Sequence, residues 1–298
     1  MSQSRPVAVW NPVSGSAPSE DDLRAALPEG IDLVETSADD PGTGQSADAA
    51  RSGAPAVVAC GGDGTIRACL QGVVGSDTAL GLIPLGTGNL LALNMDIPSG
   101  LDAAPDALRR EPVRVDVGRV GDEAFLVMAG TGFDARMISG AEDLGKAKVG
   151  RLAYVLAAIK NVPARLVRTT VVVDGAVFFR GRTSMVLVGN LPTITGGLDV
   201  FPAADPADGL LDVGVLRAST AREWVRVAWA LLWSRPQPDN LVTRTQGTSV
   251  SIISDKPRPY QLDGEHREPS DHIVLGIEPA AVTLLTGPAP EDHKALRI

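Results

Sequence analysis

The sequence has few of the residues that most often build metal centres or covalent cross-links. It contains two cysteines, Cys60 and Cys69, and three histidines, all of which follow residue 265. None of them lies at a zinc-ligand spacing from another, and the histidines form no obvious triad. Because free cysteine is often buried, we interpret both cysteines as small apolar core residues.

Long apolar runs and a basic excess are also missing. No stretch reaches the ~18–20 apolar residues that a bilayer crossing needs, and the N-terminus lacks a signal-peptide pattern. The formal net charge of −9 argues against nucleic acid as a general partner, because phosphate binding requires a basic face. We therefore expect a cytoplasmic protein that meets a membrane only from its surface. A chain of 298 residues suits two domains.

The first part of the chain alternates short apolar strands with helices. The predicted elements are strands at 7–10, 31–34, 56–60 and 79–83, and helices at 20–27, 46–52 and 65–74. This alternation is typical of a parallel sheet covered by helices. We predict an α/β nucleotide-binding domain over residues 1–112.

From about residue 113 the pattern changes to short β-rich runs separated by turns. The predicted strands lie at 113–120, 124–129, 169–173, 177–182, 184–188, 211–216, 249–253 and 273–277. Helical segments are predicted at 149–161 and 221–233. The pattern predicts an antiparallel β-sandwich domain over residues 113–287, followed by a polar tail at 288–298.

Three loops rich in glycine and hydroxyl groups follow strands of the first domain. Their sequences are Asn11-Pro12-Val13-Ser14-Gly15, Gly61-Gly62-Asp63-Gly64-Thr65 and Pro84-Leu85-Gly86-Thr87-Gly88-Asn89. Glycine allows close backbone approach, and a helix N-terminus attracts phosphate. Open α/β sheets bind ligands at the edge where such loops meet. Taken alone, the second loop could also be a plain turn in which Thr65 caps the helix. No Walker A loop is present.

The second and third of these loops together resemble the diacylglycerol kinase catalytic domain of the lipid kinase family. The similarity continues through five later segments. They are Gly130-Thr131-Gly132-Phe133-Asp134-Ala135, Lys148 to Tyr154, Asn190 with Gly196-Gly197, Asp205 to Val213, and Asp263-Gly264-Glu265. The resemblance covers about residues 5 to 285 in the family's order. It implies an N-terminal domain like those of NAD kinases and phosphofructokinases, and a C-terminal β-sandwich.

The resemblance also implies the site residues. ATP would contact Asn11, Pro12, Val13, Ser14, Gly15, Thr36, Gly61, Gly62, Asp63, Gly64, Thr65, Ile66, Arg67 and Thr87, although the stretch after Thr36 departs from the family pattern. Glu265 would be the general base, with Asp63 and Asp263 as further catalytic carboxylates. Without the family match, Asp263-Gly264-Glu265 would be interpreted as an exposed acidic hairpin turn.

A structural Mg²⁺ is implied at the segment that begins at Asp205. Asp208 would supply its side chain, and Asp205 and Leu210 would supply carbonyl oxygens, which are the hard ligands that Mg²⁺ prefers. The alternative is that Asp208 only hydrogen-bonds within its own turn.

The implied activity is transfer of the γ-phosphate of ATP to a lipid hydroxyl, with diacylglycerol as acceptor and phosphatidic acid as product. A sphingoid base or another lipid remains an alternative acceptor. An NAD-kinase-like nucleotide kinase is disfavoured by Thr87-Gly88-Asn89 and by Asp263-Gly264-Glu265. A non-catalytic binding protein is disfavoured by the presence of Asp63 and Glu265. A homodimer is one option for the oligomeric state.

Two segments of the second domain could contact a lipid surface. Residues 136–182 carry nine basic residues against three acids, an excess that suits anionic lipid but also a solvated surface. The segment from Trp224 to Trp233 holds three of the four tryptophans, flanked by arginine. It could lie at a membrane interface, pack on the sandwich, or border a lipid channel.

Overall fold

The computed structural model describes residues 4–15, 17–132, 166–194, 197–233, 238 and 240–288. Two compact units divide the chain. The first falls within Met1–Gly86, Met95–Val115 and Ala281–Ile298, and the second within Thr87–Asn94 and Asp116–Ala280. Each unit is thus built from separate stretches, whereas the sequence predicts contiguous domains. The predicted helix at 149–161, the segments Phe133–Ala135 and Lys148–Tyr154, and all but the first residue of the predicted tail lie outside the described residues.

The first unit contains a parallel sheet with the strand order β2-β1-β3-β4. Its elements are β1 (Val7–Trp10), α1 (Glu20–Ala26), β2 (Asp32–Glu35), α2 (Thr43–Arg51), β3 (Ala56–Gly61), α3 (Asp63–Val73), β4 (Ala79–Pro84) and a 3-10 helix (Gly100–Asp106). The predicted strands and helices are all present, and their ends differ from the predicted ones by at most three residues. The central strand β3 is buried along its whole length, as expected for a strand covered on both faces.

The two cysteines lie in the core of the first unit, which confirms their interpretation as small apolar side chains. Both are free and fully buried. Burial raises the pKa of Cys69 to about 12, an effect that the charge of Asp40 reinforces and a hydrogen bond with Ser46 opposes. Burial likewise raises the pKa of Cys60 far above its usual value. Neither thiol therefore forms the reactive thiolate near neutral pH.

The second unit is mainly antiparallel. Its elements, together with those that continue into the first unit, are α4 (Leu90–Asn94), β5 (Pro112–Val120), β6 (Glu123–Phe125), β7 (Met128–Thr131), β8 (Val167–Val173), β9 (Ala176–Thr183), β10 (Met185–Gly189), β11 (Thr193–Ile194), β12 (Leu198–Asp199), β13 (Leu211–Leu216), α5 (Ala221–Leu232), β14 (Val242–Gly247), β15 (Ser249–Leu262) and β16 (Glu265–Leu285). The strand order is β14-β13-β10-β7-β15-β16. In addition, β8 pairs with β15 on one side and with β9 on the other.

The long strand β15 connects the two layers of the predicted β-sandwich. Its first half pairs with β8, where Val250 lies opposite Val173, and its last residues pair with β7, where Leu262 lies opposite Ala129. A register shift separates the two halves. Strands that change partner at such irregularities are how two sheets of a sandwich are joined. Apolar side chains from both layers form one buried cluster around Phe125, which is fully buried.

Helix α5 is firmly attached to the second unit. Thr220 and Glu223 form a capping box at its N-terminus. The amides of Ser219 and Thr220 donate to the Glu223 carboxylate and lower its pKa to about 2. Trp224 and Val227 on its inner face pack in a core cluster of this unit. One of the alternatives for this segment, a helix packed on the sandwich, is therefore confirmed for the inner face.

No helix in the described part of the chain combines the length and the hydropathy that a membrane crossing requires.

Candidate functional site

The ends of the parallel strands bring the predicted nucleotide loops to one edge of the first unit. In the sheet register Trp10 lies opposite both Glu35 and Cys60, and Gly61 lies opposite Pro84. The residues that follow these strand ends therefore lie side by side. The predicted arrangement of the first two loops and the start of the third along a single sheet edge is present.

Side-chain hydrogen bonds connect the first two loops. Asn11 Nδ2 donates to Thr65 Oγ1 over 3.1 Å, and Asn11 Oδ1 accepts from the Val13 amide over 3.1 Å. The Gly62 amide donates to Ser14 Oγ over 3.2 Å. Loops whose polar groups are paired in this way hold a fixed shape, so a ligand would not have to order them.

The first two glycines of the second loop leave little room for a side chain. A Cβ on Gly61 would lie 2.5 Å from Thr65 Cβ, and a Cβ on Gly62 would lie 3.3 Å from Gly86 Cα. Gly62 is the N-cap of α3, which begins at Asp63, so the alternative in which Thr65 caps the helix is wrong. The positive end of the α3 dipole thus lies at this loop, as the phosphate-site prediction requires.

The other predicted nucleotide contacts differ in their accessibility. Val13 is 86% exposed, whereas Thr36 and Ile66 are buried. The Thr36 amide donates to the Trp10 carbonyl. Ile66 packs its side chain in the core, so this side chain cannot contact a nucleotide. The remaining predicted contacts are partly or fully exposed, and they are Pro12, Gly15, Gly64, Arg67 and, in the second unit, Thr87.

Replacing Gly61 with alanine should raise the KM for ATP about tenfold, because the new methyl group displaces Thr65 and breaks its hydrogen bond to Asn11. Steady-state kinetics over a range of ATP concentrations measure this effect. Gly276→Ala is the matched control, since a Cβ there meets nothing within 4 Å. An unchanged KM in Gly61→Ala would show that this loop does not bind the nucleotide.

In the second unit, Asp263 and Gly264 form the two-residue turn between β15 and β16. Both have positive φ angles, 47° and 91°, which is the geometry that an Asp-Gly hairpin turn adopts. The Asp263 side chain is only 7% exposed. Its carboxylate accepts hydrogen bonds of 2.8 Å from the amides of Leu126, Val127 and Met128. These contacts are those of a residue that positions the backbone, whereas the resemblance implies a further catalytic carboxylate at Asp263.

Asn190, which directly follows β10, holds the same segment. Its Nδ2 donates to the carbonyls of Asp116 and Leu126, and its own amide donates to the Val127 carbonyl. The predicted single strand at 124–129 is therefore divided into β6 and β7, because Asp263 and Asn190 take up the backbone groups between them. The turn that precedes Glu265 is consequently fixed by buried hydrogen bonds.

Glu265 begins β16 and lies beside an arginine that the sequence analysis did not identify. Arg267 Nη1 and Nη2 each lie 3.4 Å from Glu265 Oε2, while Arg267 also donates to Glu123 over 2.6–3.0 Å. Burial alone would lower the pKa of Arg267, but the hydrogen bonds and charges of Glu123 and then Glu265 raise it. The i, i+2 spacing on a strand could have indicated that Glu265 and Arg267 share a face.

The segment predicted to hold a metal forms two consecutive Asx turns. Asp205 Oδ1 accepts from the Ala207 amide over 3.0 Å, and Asp208 Oδ1 accepts from the Leu210 amide over 2.9 Å. Asp116, another residue that the sequence analysis missed, accepts from the Gly209 and Ala280 amides over 2.7 Å. The alternative interpretation, an aspartate that hydrogen-bonds within its own turn, accounts for the contacts of Asp205 and Asp208, and Asp116 holds the same turn from β5.

The chemistry of this segment is nevertheless compatible with a hard cation. Burial raises the pKa of Asp212, a hydrogen bond from Gln246 opposes this, and the nearby charge of Asp208 raises it further. A cation bound by Asp208 would offset that repulsion. Among the described residues, however, no three His, Cys, Asp or Glu side chains converge as metal ligands.

Two family models together match most of the chain. The model of the diacylglycerol kinase catalytic domain matches residues 5–120, and that of the YegS C-terminal NAD kinase beta sandwich-like domain matches residues 127–286. A diacylglycerol kinase of Mycobacterium tuberculosis is 30% identical over 292 residues, which cover 93% of this chain and 94% of that protein. A diacylglycerol kinase of Bacillus subtilis is 28% identical over 215 residues, covering 70% and 71%. An uncharacterized protein of Synechocystis is 26% identical over 235 residues, which cover 77% of this chain. This chain spans only about half, 52%, of the length of that protein.

Solved structures show the same architecture. A diacylglycerol kinase of Bacillus anthracis superimposes with a TM-score of 0.78 at 20% identity, covering 97% of this chain and 99% of that one. An NAD kinase of Archaeoglobus fulgidus has a TM-score of 0.53 at 13% identity, with 94% and 93% covered. The predicted α/β domain and β-sandwich are thereby confirmed. With both of its domains matched and relatives aligned along almost its whole length, the chain belongs to the diacylglycerol kinase family of lipid kinases.

Proposed function

We propose that this protein transfers the γ-phosphate of ATP to the hydroxyl group of diacylglycerol and so produces phosphatidic acid. The observation that carries this proposal is the fixed position of Glu265. It directly follows a turn whose backbone is held by Asp263, and its carboxylate is paired with Arg267. A carboxylate oriented in this way can accept the proton of an acceptor hydroxyl as the new bond to phosphorus forms.

The first unit supports the nucleotide part of the proposal. The α3 N-terminus and the paired loops around Asn11, Ser14 and Thr65 suit the β- and γ-phosphates of ATP. Asp63, in the first turn of α3, would orient the polyphosphate through a bound cation. The acceptor oxygen attacks the γ-phosphorus, the bond to the bridging oxygen breaks, and ADP leaves.

Mg²⁺ is proposed as the cation. Bound at the phosphates it would neutralise negative charge as the γ-phosphoryl group is transferred. A second Mg²⁺ at Asp208, with the carbonyls of Asp205 and Leu210, would have a structural role and would brace the segment that Asp116 also holds. In this proposal Glu265 accepts the proton of the acceptor hydroxyl, and the nucleotide loops hold ATP.

The acceptor can be identified with γ-labelled ATP and Mg²⁺ in separate reactions containing diacylglycerol, sphingosine or NAD. We expect label in phosphatidic acid and none in phosphorylated NAD. Label in sphingosine phosphate alone would retain a lipid kinase but change its acceptor. Label in NAD and in no lipid would overturn the proposal and favour a nucleotide kinase.

A further inference from the structure

The outer face of α5 differs in character from its inner face. Val225, Trp229 and Trp233 are 48%, 50% and 49% exposed, although they are large and apolar. They follow each other at intervals of four residues, which places Val225 and Trp229 on one side of the helix, and Trp233 is the C-cap that follows its last residue. Two exposed arginines border these residues. We call the set the Trp–Arg face, and it consists of Arg222, Val225, Arg226, Trp229 and Trp233.

This exposure belongs to an anchored helix. The inner residues Trp224 and Val227 are buried, and the capping box at Thr220 closes the N-terminus. The rings of Trp229 and Trp233 stack with their centroids 3.8 Å apart and their planes at 23°. The helix therefore presents a preformed aromatic surface rather than side chains that would have to become ordered on binding.

The charge of the face is as distinctive as its aromatic content. Arg222 and Arg226 are exposed, and in the part of the chain that the structure describes neither forms an ion pair with an acid. Glu223, the acid of this helix, accepts hydrogen bonds from the amides of Ser219 and Thr220 and does not pair with either arginine. A face of cationic and large apolar side chains without an acid thus occurs on a chain whose net charge is −9.

We propose that the Trp–Arg face docks on a bilayer that contains anionic lipid. Tryptophan is favoured at the boundary between headgroups and acyl chains, and arginine extends its charge towards lipid phosphates. The choice of a membrane as the partner of this face rests on the proposed function, because a kinase of diacylglycerol reaches its acceptor at a membrane surface. A second copy of this chain fits less well, since symmetric pairing would bring four arginines into one interface without an acid.

The direct test is sedimentation of the full chain with vesicles of phosphatidylcholine alone or of phosphatidylcholine mixed with phosphatidylglycerol. We expect the protein to sediment with the mixed vesicles, and the tryptophan emission to shift to shorter wavelength. Phosphatidylcholine carrying brominated acyl chains in the mixed vesicles should quench that emission, because Trp229 and Trp233 would lie near the chains.

Two double variants separate the contributions of the face. Trp229→Ser with Trp233→Ser should lower binding to mixed vesicles about tenfold or more. Arg222→Gln with Arg226→Gln should lower binding about tenfold and reduce its dependence on phosphatidylglycerol. Val177→Ser with Val274→Ser is the matched control, because both valines are more than half exposed on strands away from this helix. Circular dichroism verifies that each variant is folded.

Three outcomes would overturn the inference. They are an absence of vesicle binding by the unmodified protein, equal binding by the tryptophan double variant, and a change from dimer to monomer in that variant without a change in vesicle binding. The last result would identify the face as a contact between copies.

Kinase activity is measured separately with a short-chain, water-soluble diacylglycerol and no vesicles. The tryptophan double variant should retain this activity, because the change affects only access to the bilayer. If the unmodified protein binds vesicles but phosphorylates no lipid, the proposed function fails and the docking surface stands. If it phosphorylates the soluble acceptor but binds no vesicles, the docking surface fails alone.

Discussion

Replacing Glu265 with glutamine should lower kcat for lipid phosphorylation by roughly 100- to 10,000-fold, the range that removal of a general base produces. The amide keeps the size of the side chain and can still lie beside Arg267, but it does not accept the hydroxyl proton. The KM for ATP should change little, because the first two nucleotide loops belong to the first unit, whereas Glu265 belongs to the second. Initial rates with diacylglycerol and γ-labelled ATP provide the measurement.

Glu268→Gln is the control for that experiment. Glu268 lies on the same strand and is exposed, and it has no place in the proposed site. Its variant should retain the rate of the unmodified protein. If Glu265→Gln also retained that rate, Glu265 could not be the base, and a different group would have to take the proton. A lowered rate with a greatly raised KM for ATP would instead indicate a role in binding.

Replacing Asp263 with asparagine should destabilise the second unit by about 3 kcal/mol. Three backbone amides donate to this buried carboxylate, and the side-chain NH₂ of asparagine would face some of them as a competing donor. Asparagine tolerates positive φ, so backbone strain would not be the cause. Urea unfolding followed by circular dichroism measures the loss. The rate of phosphorylation should fall as well, because Glu265 lies two residues away.

Asp174 provides a matched comparison within the same unit. It also precedes glycine in a two-residue turn, has a φ of 49°, and accepts from the amides of Thr248 and Ser249. Unlike Asp263 it is exposed, so water can replace the lost contacts in Asp174→Asn and the destabilisation should be much smaller. Equal losses in the two variants would contradict the view that burial makes Asp263 important.

Local patterns were sufficient to predict the strands of the first unit and the turn at Asp263, but not the full length of β15 and β16, which were predicted only at 249–253 and 273–277. Short apolar runs gave β1, β3 and β4, and Asp263-Gly264 indicated the hairpin turn, because these features depend on neighbouring residues. The same patterns could not show that the Asp263 carboxylate turns inward. Its partners at Leu126 to Met128 are more than 130 residues away in the sequence. For the same reason the division of 124–129 into β6 and β7 was not predicted.

Pairs that form only in the folded chain were missed as well. Arg267 and Glu123 are 144 residues apart, and Asp116 binds Gly209 across 93 residues. Nothing in the residues next to them in the sequence indicates that such distant residues will pair. Helix α4 was also missed, since it is only five residues long and has weak periodicity; Asn94 attaches it to Thr193 through a pair of hydrogen bonds.

The last strand in the described part of the chain, β16, determines when the first unit can be completed during synthesis. Leu284 pairs in parallel with Leu80 of β4, and the Gly75 amide donates to the Ala281 carbonyl. The parallel sheet that starts with β1 is therefore complete only after a segment some two hundred residues beyond β4 has been synthesised. Until the ribosome has released that segment, the outer edge of β4 has no final partner, and a nascent chain that ends before it carries an open sheet edge that invites aggregation.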